Sequence, residues 1–265
     1  MPALPTPAQA LLLYGVVMFL FVSAGVVLGG KSPVLRAPVA SIFAILLPSV
    51  AYAALSGVDF RASFRLRLLA PGRAALTVAT MAAGYLVLTE LLNLGLKLFD
   101  GGASPGFDIR KILQQELQML VDLDWAAALF VLVILPATCE ELLFRGYLLT
   151  GLERGLGRTL AVVACAFLFG LMHVIPVRIL VTTLLGLFFG YVGVCGGSVG
   201  YSILAHLVNN FLVVLAAKHP DLRAVPWLHG EAHVPSFPLA CAVAVLAGGL
   251  YLMRAGRPVP RPDSP

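Results

Sequence analysis

The sequence predicts an all-α protein that crosses the membrane about eight times. Hydrophobic residues make up 60% of its 265 residues and charged residues only 12%, about half the charged fraction of an ordinary soluble domain. Apolar runs close to 20 residues long recur along the chain, which is the length that a helix needs to cross the hydrocarbon core. The eight predicted spans are 8–29, 37–55, 74–99, 125–149, 159–175, 179–195, 199–217 and 237–253.

These spans leave no room for a separate soluble domain, so we expect one membrane domain over residues 1–265. The first span should stay in the protein as an anchor, because no Lys or Arg precedes Lys31 and the apolar run is longer than that of a signal peptide. The proline-rich segment 254–265 is predicted to be a disordered tail.

The basic residues are scattered over loops, so the net charge of +5 does not indicate a nucleic-acid partner. In an eight-span arrangement the arginines of 61–73, 154–158 and 254–261 fall on one side of the bilayer. The positive-inside rule then predicts that both termini are cytoplasmic. The four cysteines lie in apolar spans without metal-like spacing and are interpreted as small hydrophobic side chains. His229 and His233 are interpreted as solvated residues of an exposed loop.

Charged side chains within spans are costly and mark function, and the fourth span carries three of them. Glu141 and Arg145 are four residues apart with the acid first, the favourable order for a pair on one helix face. Glu140 points about 100° away from that pair. Two adjacent carboxylates in different environments are the pattern from which acid and base roles are assigned. The spacing therefore predicts a structural pair beside an unpaired, reactive Glu140.

His173 in the fifth span is predicted to lie level with Glu140. Their midpoint falls in the glycine-rich turn at residues 155–158, and residues equidistant from the turn of an antiparallel hairpin share one depth, here about 24 Å from the turn. In the seventh span, His206 and Asn210 are four residues apart and share a face. Counting through the sixth span leaves His206 about 10 Å from the level of His173, so we expect helix tilt or close glycine packing to bring them together.

Three segments resemble motifs of the CPBP intramembrane proteases, which include the type II CAAX prenyl endopeptidases. They are Glu140-Glu141-Leu-Leu-Phe-Arg145, Phe169-Gly-Leu-Met-His173 and His206-Leu-Val-Asn-Asn210. They occur in order on spans 4, 5 and 7, within a motif-bearing core of about 120–215. The resemblance implies an eight-helix membrane fold.

The resemblance also implies the role of each residue. Glu140 and His173 would activate water, His206 and Asn210 would stabilise the oxyanion, and Glu141 and Arg145 would hold the catalytic helix, with Phe169 as a further supporting residue. The expected activity is cleavage of a membrane-associated or lipid-anchored protein or peptide within the bilayer.

Three alternatives stay open at this point. A zinc ion could be held by His173, His206 and Glu140 with an open fourth position, although we favour a mechanism without a cofactor because the His-Glu-x-x-His helix motif is missing. A non-catalytic peptide-binding or immunity protein could share the fold. A small proton-coupled transporter is less well supported, since no internal repeat is visible in the sequence.

Overall fold

The structure is a computed structural model that describes residues 3–100, 109–229 and 232–255. All regular structure within these residues is helical, which confirms the predicted all-α class. The α-helices are α1 (Pro7–Val27), α2 (Pro33–Pro38), α3 (Leu47–Leu55), α4 (Phe60–Ser63), α5 (Pro71–Asp100), α6 (Ile109–Asp122), α7 (Trp125–Ala128), α8 (Leu135–Glu141), α9 (Leu149–Leu171), α10 (Pro176–Gly196), α11 (Val199–Lys218), α12 (Pro220–Arg223) and α13 (Ser236–Ala255). Val39–Leu46, Leu129–Ile134 and Leu142–Leu148 are π-helical, and Pro226–His229 is a 3₁₀-helix.

Seven helical stretches among the described residues are long and apolar enough to cross a membrane. The longest, Trp125–Leu171, has 47 residues and is interrupted at Gly157, where φ is 71° and ψ is 165°. Glycine adopts positive φ without steric cost, and the chain turns back here, since the rings of Phe144 and Phe169 on its two arms are 5.1 Å apart. Counting this hairpin as two passes and each other stretch as one gives the predicted eight.

Glycines let α10 pack closely on both of its neighbours. A Cβ atom at Gly186 would lie 3.0 Å from the Cα atom of Ala166 in the second arm of the hairpin. A Cβ atom at Gly193 would overlap the hydroxyl of Ser202 in α11. Small residues allow membrane helices to approach each other in this way. The predicted close packing of the sixth span is confirmed at these two positions.

Among the arginines that were predicted to share one side of the bilayer, those within the described residues lie at one end of the bundle, which we call the arginine end. Arg65 binds Glu153 near the Gly157 turn, with Nη2 2.5 Å from Oε2. Arg73 donates to a backbone carbonyl in the last turn of α10. Helix α13 packs against α5 and ends at Ala255, one residue after Arg254. Which face of the membrane meets the arginine end stays a prediction.

At the opposite end, a polar group on α5 binds the loop that precedes α13. Glu90 accepts hydrogen bonds from His233 Nδ1 at 2.6 Å and from the N–H of Val234 at 2.8 Å. Lys97 Nζ contacts His233 Nε2, and Asn93 donates to two loop carbonyls. We call Glu90, Asn93, Lys97 and His233 the edge cluster. His233 is thus bound to α5, which corrects its interpretation as a merely solvated residue.

The predicted tail at 254–265 begins too early, because Arg254 and Ala255 still belong to α13. Its remaining residues, 256–265, lie outside the described residues.

Candidate intramembrane active site

Glu141 and Arg145 form a buried ion pair in the first arm of the hairpin. Arg145 Nη1 donates to Glu141 Oε1 at 3.0 Å, and their side chains are 0% (Glu141) and 1% (Arg145) exposed. Arg145 Nη2 donates to the carbonyl of Gly186 in α10 at 2.9 Å. The predicted pair therefore forms, and it also fastens the hairpin to α10. Such bonds matter because a buried charge left without partners is strongly destabilising.

His206 joins this network from α11. Its Nδ1 atom lies 2.9 Å from Glu141 Oε1, the same oxygen that binds Arg145. An ionised carboxylate can only accept, so we assign the proton to Nδ1, which leaves Nε2 for another partner. A carboxylate in this position fixes the tautomer and direction of an imidazole. Sequence spacing pairs Glu141 with Arg145 alone, so this second bond is a finding of the structure.

Two phenylalanine rings enclose the network. The guanidinium carbon of Arg145 lies 4.5 Å from the ring centroid of Phe169 and 5.4 Å from that of Phe189, within the range of cation–π attraction. The ring of His206 stacks on Phe189, with centroids 4.8 Å apart and planes at 19°. Phe169 was predicted as a supporting residue. Phe189 was missed, because an apolar ring in an apolar span gives no signal in the sequence.

Phe169 also lies between the two histidines. Its ring centroid is 5.2 Å from that of His173, one helical turn further along the chain, and 6.0 Å from that of His206. The edge-to-face contacts of Phe169 therefore connect the two histidines. His173 and His206 are still close enough to interact electrostatically.

Glu140 and His173 differ from the network in their accessibility. Both are partly exposed, whereas Glu141, Arg145 and His206 are buried. The Glu140 carboxylate interacts electrostatically with those three residues. Within the described part of the chain, no hydrogen bond joins Glu140 to His173. The predicted pair thus borders one shared polar centre without a hydrogen bond between its two members.

The turn after His173 has a strained backbone. Val174 has a φ of 59°, which is a genuine outlier for a β-branched residue. The N–H of Ile175 donates to the carbonyl of His173 at 2.6 Å. A hydrogen bond from the N–H of residue i+2 to the carbonyl of residue i, around a central residue with positive φ, marks the rare and strained form of the γ-turn. The ring of His173 is held as well, since Nδ1 lies 3.2 Å from the carbonyl oxygen of Phe169. Strain of this kind clusters at functional sites.

Asn210 lies one turn after His206 on α11, as predicted, and its amide group is held in place. Its Nδ2 donates to the carbonyl of Leu132 at 3.1 Å, and its Oδ1 accepts from Asn209 Nδ2 at 3.1 Å. The second hydrogen of Nδ2 is left to donate elsewhere. Asn209 is three residues after His206 and about 60° from it around the helix, and it contacts the site through this bond to Asn210.

The residues that could hold a metal ion do not form a compact set. No group of three His, Cys, Asp or Glu side chains with metal-binding geometry occurs among the described residues. His173 and His206 each have Nδ1 in a hydrogen bond within the protein. Zinc dependence is therefore a question for experiment.

The matched segment of the chain contains all three motifs and the whole network. Residues 122–212 match the family model for the type II CAAX prenyl endopeptidase Rce1-like proteins. This match bears out the predicted resemblance over residues 122–212. The Rce1-like segment begins just before the hairpin and ends in α11, after Asn210. It supports a protease of the CAAX class that acts on a membrane-associated substrate.

No curated protein and no solved structure is similar enough to this chain to be matched. The roles of individual residues in the Rce1-like segment therefore have to be argued from the geometry.

Proposed function

We propose that the protein is an intramembrane endopeptidase of the glutamic type, in which Glu140 and His173 activate water while His206 and Asn210 stabilise the oxyanion. The observation that best supports this proposal is that one oxygen of Glu141, Oε1, binds two partners. Through it, Arg145 of the first motif and His206 of the third are bound to one carboxylate. Phe169 of the second motif packs against both. Three distant motifs would have no reason to meet in a bilayer unless they formed one site.

The reaction begins with Glu140 and His173, the two partly exposed residues. Glu140 removes a proton from a water molecule that His173 orients, and the water oxygen attacks the carbonyl carbon of the scissile peptide bond. Glu140 then gives the proton to the leaving nitrogen, the C–N bond breaks, and an amine and a carboxylic acid are released. His173 is suited to orient the water, because its own ring is held by the carbonyl of Phe169.

The oxyanion of the tetrahedral intermediate needs hydrogen-bond donors that stabilise its charge. Asn210 offers the second hydrogen of Nδ2, and His206 offers Nε2–H when its ring is an imidazolium. Removing one donor of this kind typically costs about 10²–10³ in kcat. Glu141 acts as a positioning residue, since it directs the His206 ring through Nδ1.

The first prediction concerns catalysis. We expect Glu140→Gln and His173→Ala each to lower peptide cleavage by about 10²–10⁴, because both variants remove a group that handles the water. Membranes containing wild type or a variant would be compared by mass spectrometry of newly formed C-termini, which detects cleavage of any protein in the membrane. A purified sample would also receive an internally quenched peptide with a farnesylated CAAX end.

Glu90→Gln is the matched control, since it neutralises another carboxylate on a membrane helix and should leave cleavage unchanged. Normal cleavage by purified Glu140→Gln would refute the assignment of the base. A wild-type protein that retains peptides but creates no new C-termini would instead be a peptide-binding or immunity protein.

The second prediction concerns the metal. We expect activity to survive exhaustive treatment with a membrane-permeable chelator, with far less than one zinc per chain by elemental analysis. The physical reason is that no group of three potential ligand side chains with metal-binding geometry occurs among the described residues, whereas zinc–nitrogen bonds of about 2.0–2.1 Å allow little slack. Loss of activity on chelation and recovery with zinc alone would contradict the glutamic mechanism and leave the protease assignment intact.

A further inference from the structure

A lateral groove lies between α5, α9, α10 and α13, away from the proposed site. It has a volume of about 690 Å³, well within the range of roughly 300–1,000 Å³ found for small-molecule sites. Its walls are mainly apolar and include Leu88, Leu187 and Phe188. None of the proposed catalytic residues lines it. It is therefore a different cavity from the proposed active site.

The depth of the groove matches one leaflet of a bilayer. On α10 its lining runs from Leu184 to Val194, two residues before that helix ends at Gly196. Ten residues of helix rise about 15 Å, and the whole hydrocarbon core is about 30 Å thick. The groove thus extends from the arginine end to about the middle of the membrane.

Two exposed arginines line the groove at this end. Arg158 follows the Gly157 turn and Arg254 is in the last turn of α13. Arg158 makes one long contact, from Nε to Glu153 Oε1 at 3.7 Å, and its side chain is 64% exposed. Arg65 binds Glu153 more closely, at 2.5 Å. Both guanidinium groups that line the groove are therefore available at the level where lipid headgroups lie.

We propose that this groove holds one anionic phospholipid, with an acyl chain between the four helices and its phosphate on Arg158 and Arg254. Three observations agree on this occupant. The walls are apolar, the depth is that of one acyl chain, and the opening carries two cations on the arginine-rich end, which is the kind of site at which basic residues between membrane helices recognise anionic headgroups. A neutral ligand would leave both arginines without a function.

The test is a lipid titration followed by native mass spectrometry. The purified full-length protein would receive dioleoyl phosphatidylglycerol or dioleoyl phosphatidylcholine in detergent, and the fraction with one bound lipid would be measured. We expect one preferred phosphatidylglycerol per chain. Arg158→Gln and Arg254→Gln should each weaken its binding about fivefold. Arg67→Gln is the matched control, because Arg67 is an exposed arginine of a group at the same end and does not line the groove.

A second pair of variants tests the apolar part without changing the charge. Val163 lines the groove and Val243 does not, and both are 48% exposed on membrane-facing helix surfaces. Val163→Phe should displace the acyl chain and weaken phosphatidylglycerol binding at least as strongly as the loss of one arginine. Val243→Phe should leave it unchanged.

Three outcomes would overturn the proposal. Equal retention of phosphatidylcholine would mean that the groove accepts any lipid. An equal loss of binding in Arg67→Gln would mean that only the overall charge matters. Displacement of phosphatidylglycerol by an uncharged farnesylated peptide, with equal affinity in the arginine variants, would assign the groove to the prenyl chain of a substrate.

Discussion

Two glutamates on membrane helices, Glu141 in the central network and Glu90 in the edge cluster, are bound in different ways. Each oxygen of Glu90 has its own donor, one from His233 and one from the N–H of Val234. Glu141 uses a single oxygen for both Arg145 and His206. Its other oxygen, Oε2, is buried without a hydrogen-bond partner among the described residues. Both carboxylate oxygens of Glu90 therefore have hydrogen-bond partners, whereas only one oxygen of Glu141 does.

The difference agrees with a structural role for Glu90 and with the reaction centre proposed around Glu141. A buried polar atom without a partner is costly, and the unused Oε2 of Glu141 lies next to the residues proposed to handle water and substrate. The neighbouring carboxylate of Glu140 makes no hydrogen bond within the described residues. The edge cluster binds a loop to α5, and its Asn93 Oδ1 is also buried without a partner, so the contrast concerns the two carboxylates, Glu90 and Glu141.

The largest effect in this comparison is expected for Arg145. Arg145→Ala leaves Glu141 as an unpaired buried charge and removes the bond to Gly186, so we expect a loss of about 3–5 kcal/mol in the free energy of unfolding. Lys97→Ala in the edge cluster should cost about 0.5 kcal/mol or less, because that side chain is exposed. Both would be measured by denaturant titration in bicelles.

Arg145→Lys refines this measurement. It keeps the charge but loses the planar fork that contacts Glu141 and Gly186 together and stacks on Phe169, so its stability should fall between wild type and Arg145→Ala. If Arg145→Ala is no less stable than Lys97→Ala, the central ion pair does not hold the fold together.

The smallest effect is expected for Glu90. Glu90→Gln should change the free energy of unfolding by less than about 1 kcal/mol, yet it should speed hydrogen exchange at the amide of Val234 several-fold, because that N–H donates to Glu90 Oε2. Peptide cleavage should stay at the wild-type level. Mass spectrometry of deuterated peptides from residues 224–235 measures the exchange.

Asp221→Asn is the control for this exchange experiment. It neutralises a carboxylate in the same loop whose side chain is 93% exposed, and it should leave the Val234 amide unaffected. Reduced cleavage in Glu90→Gln would mean that the edge cluster also serves the reaction, and the contrast with Glu141 would fail.

The sequence was most informative where an interaction is local. The pairing of Glu141 with Arg145 follows from a spacing of four residues, and the turn near Gly157 follows from the glycines there together with the lengths of the spans. In both cases, one helix or one hairpin contains all of the geometry that matters.

Contacts between distant helices were harder to predict. The bond from His206 to Glu141 depends on the rotation of α11 relative to the hairpin, and periodicity along one chain segment does not contain that rotation. The edge cluster joins Glu90 to His233 across 143 positions in the sequence. A loop without periodicity gives no means to predict which helix it will touch.

The γ-turn at Val174 has a consequence for anyone who tries to engineer this protein. Glycine accepts the φ of 59° without strain, so selection for heat tolerance alone should favour Val174→Gly. The same change would let the segment after His173 adopt other conformations, and the direction of its ring would no longer be determined by the backbone. Thermal stability would then favour glycine at this position, whereas catalysis would favour valine. A screen that measures only thermal stability would therefore select a protein that is more stable but cleaves peptides more slowly.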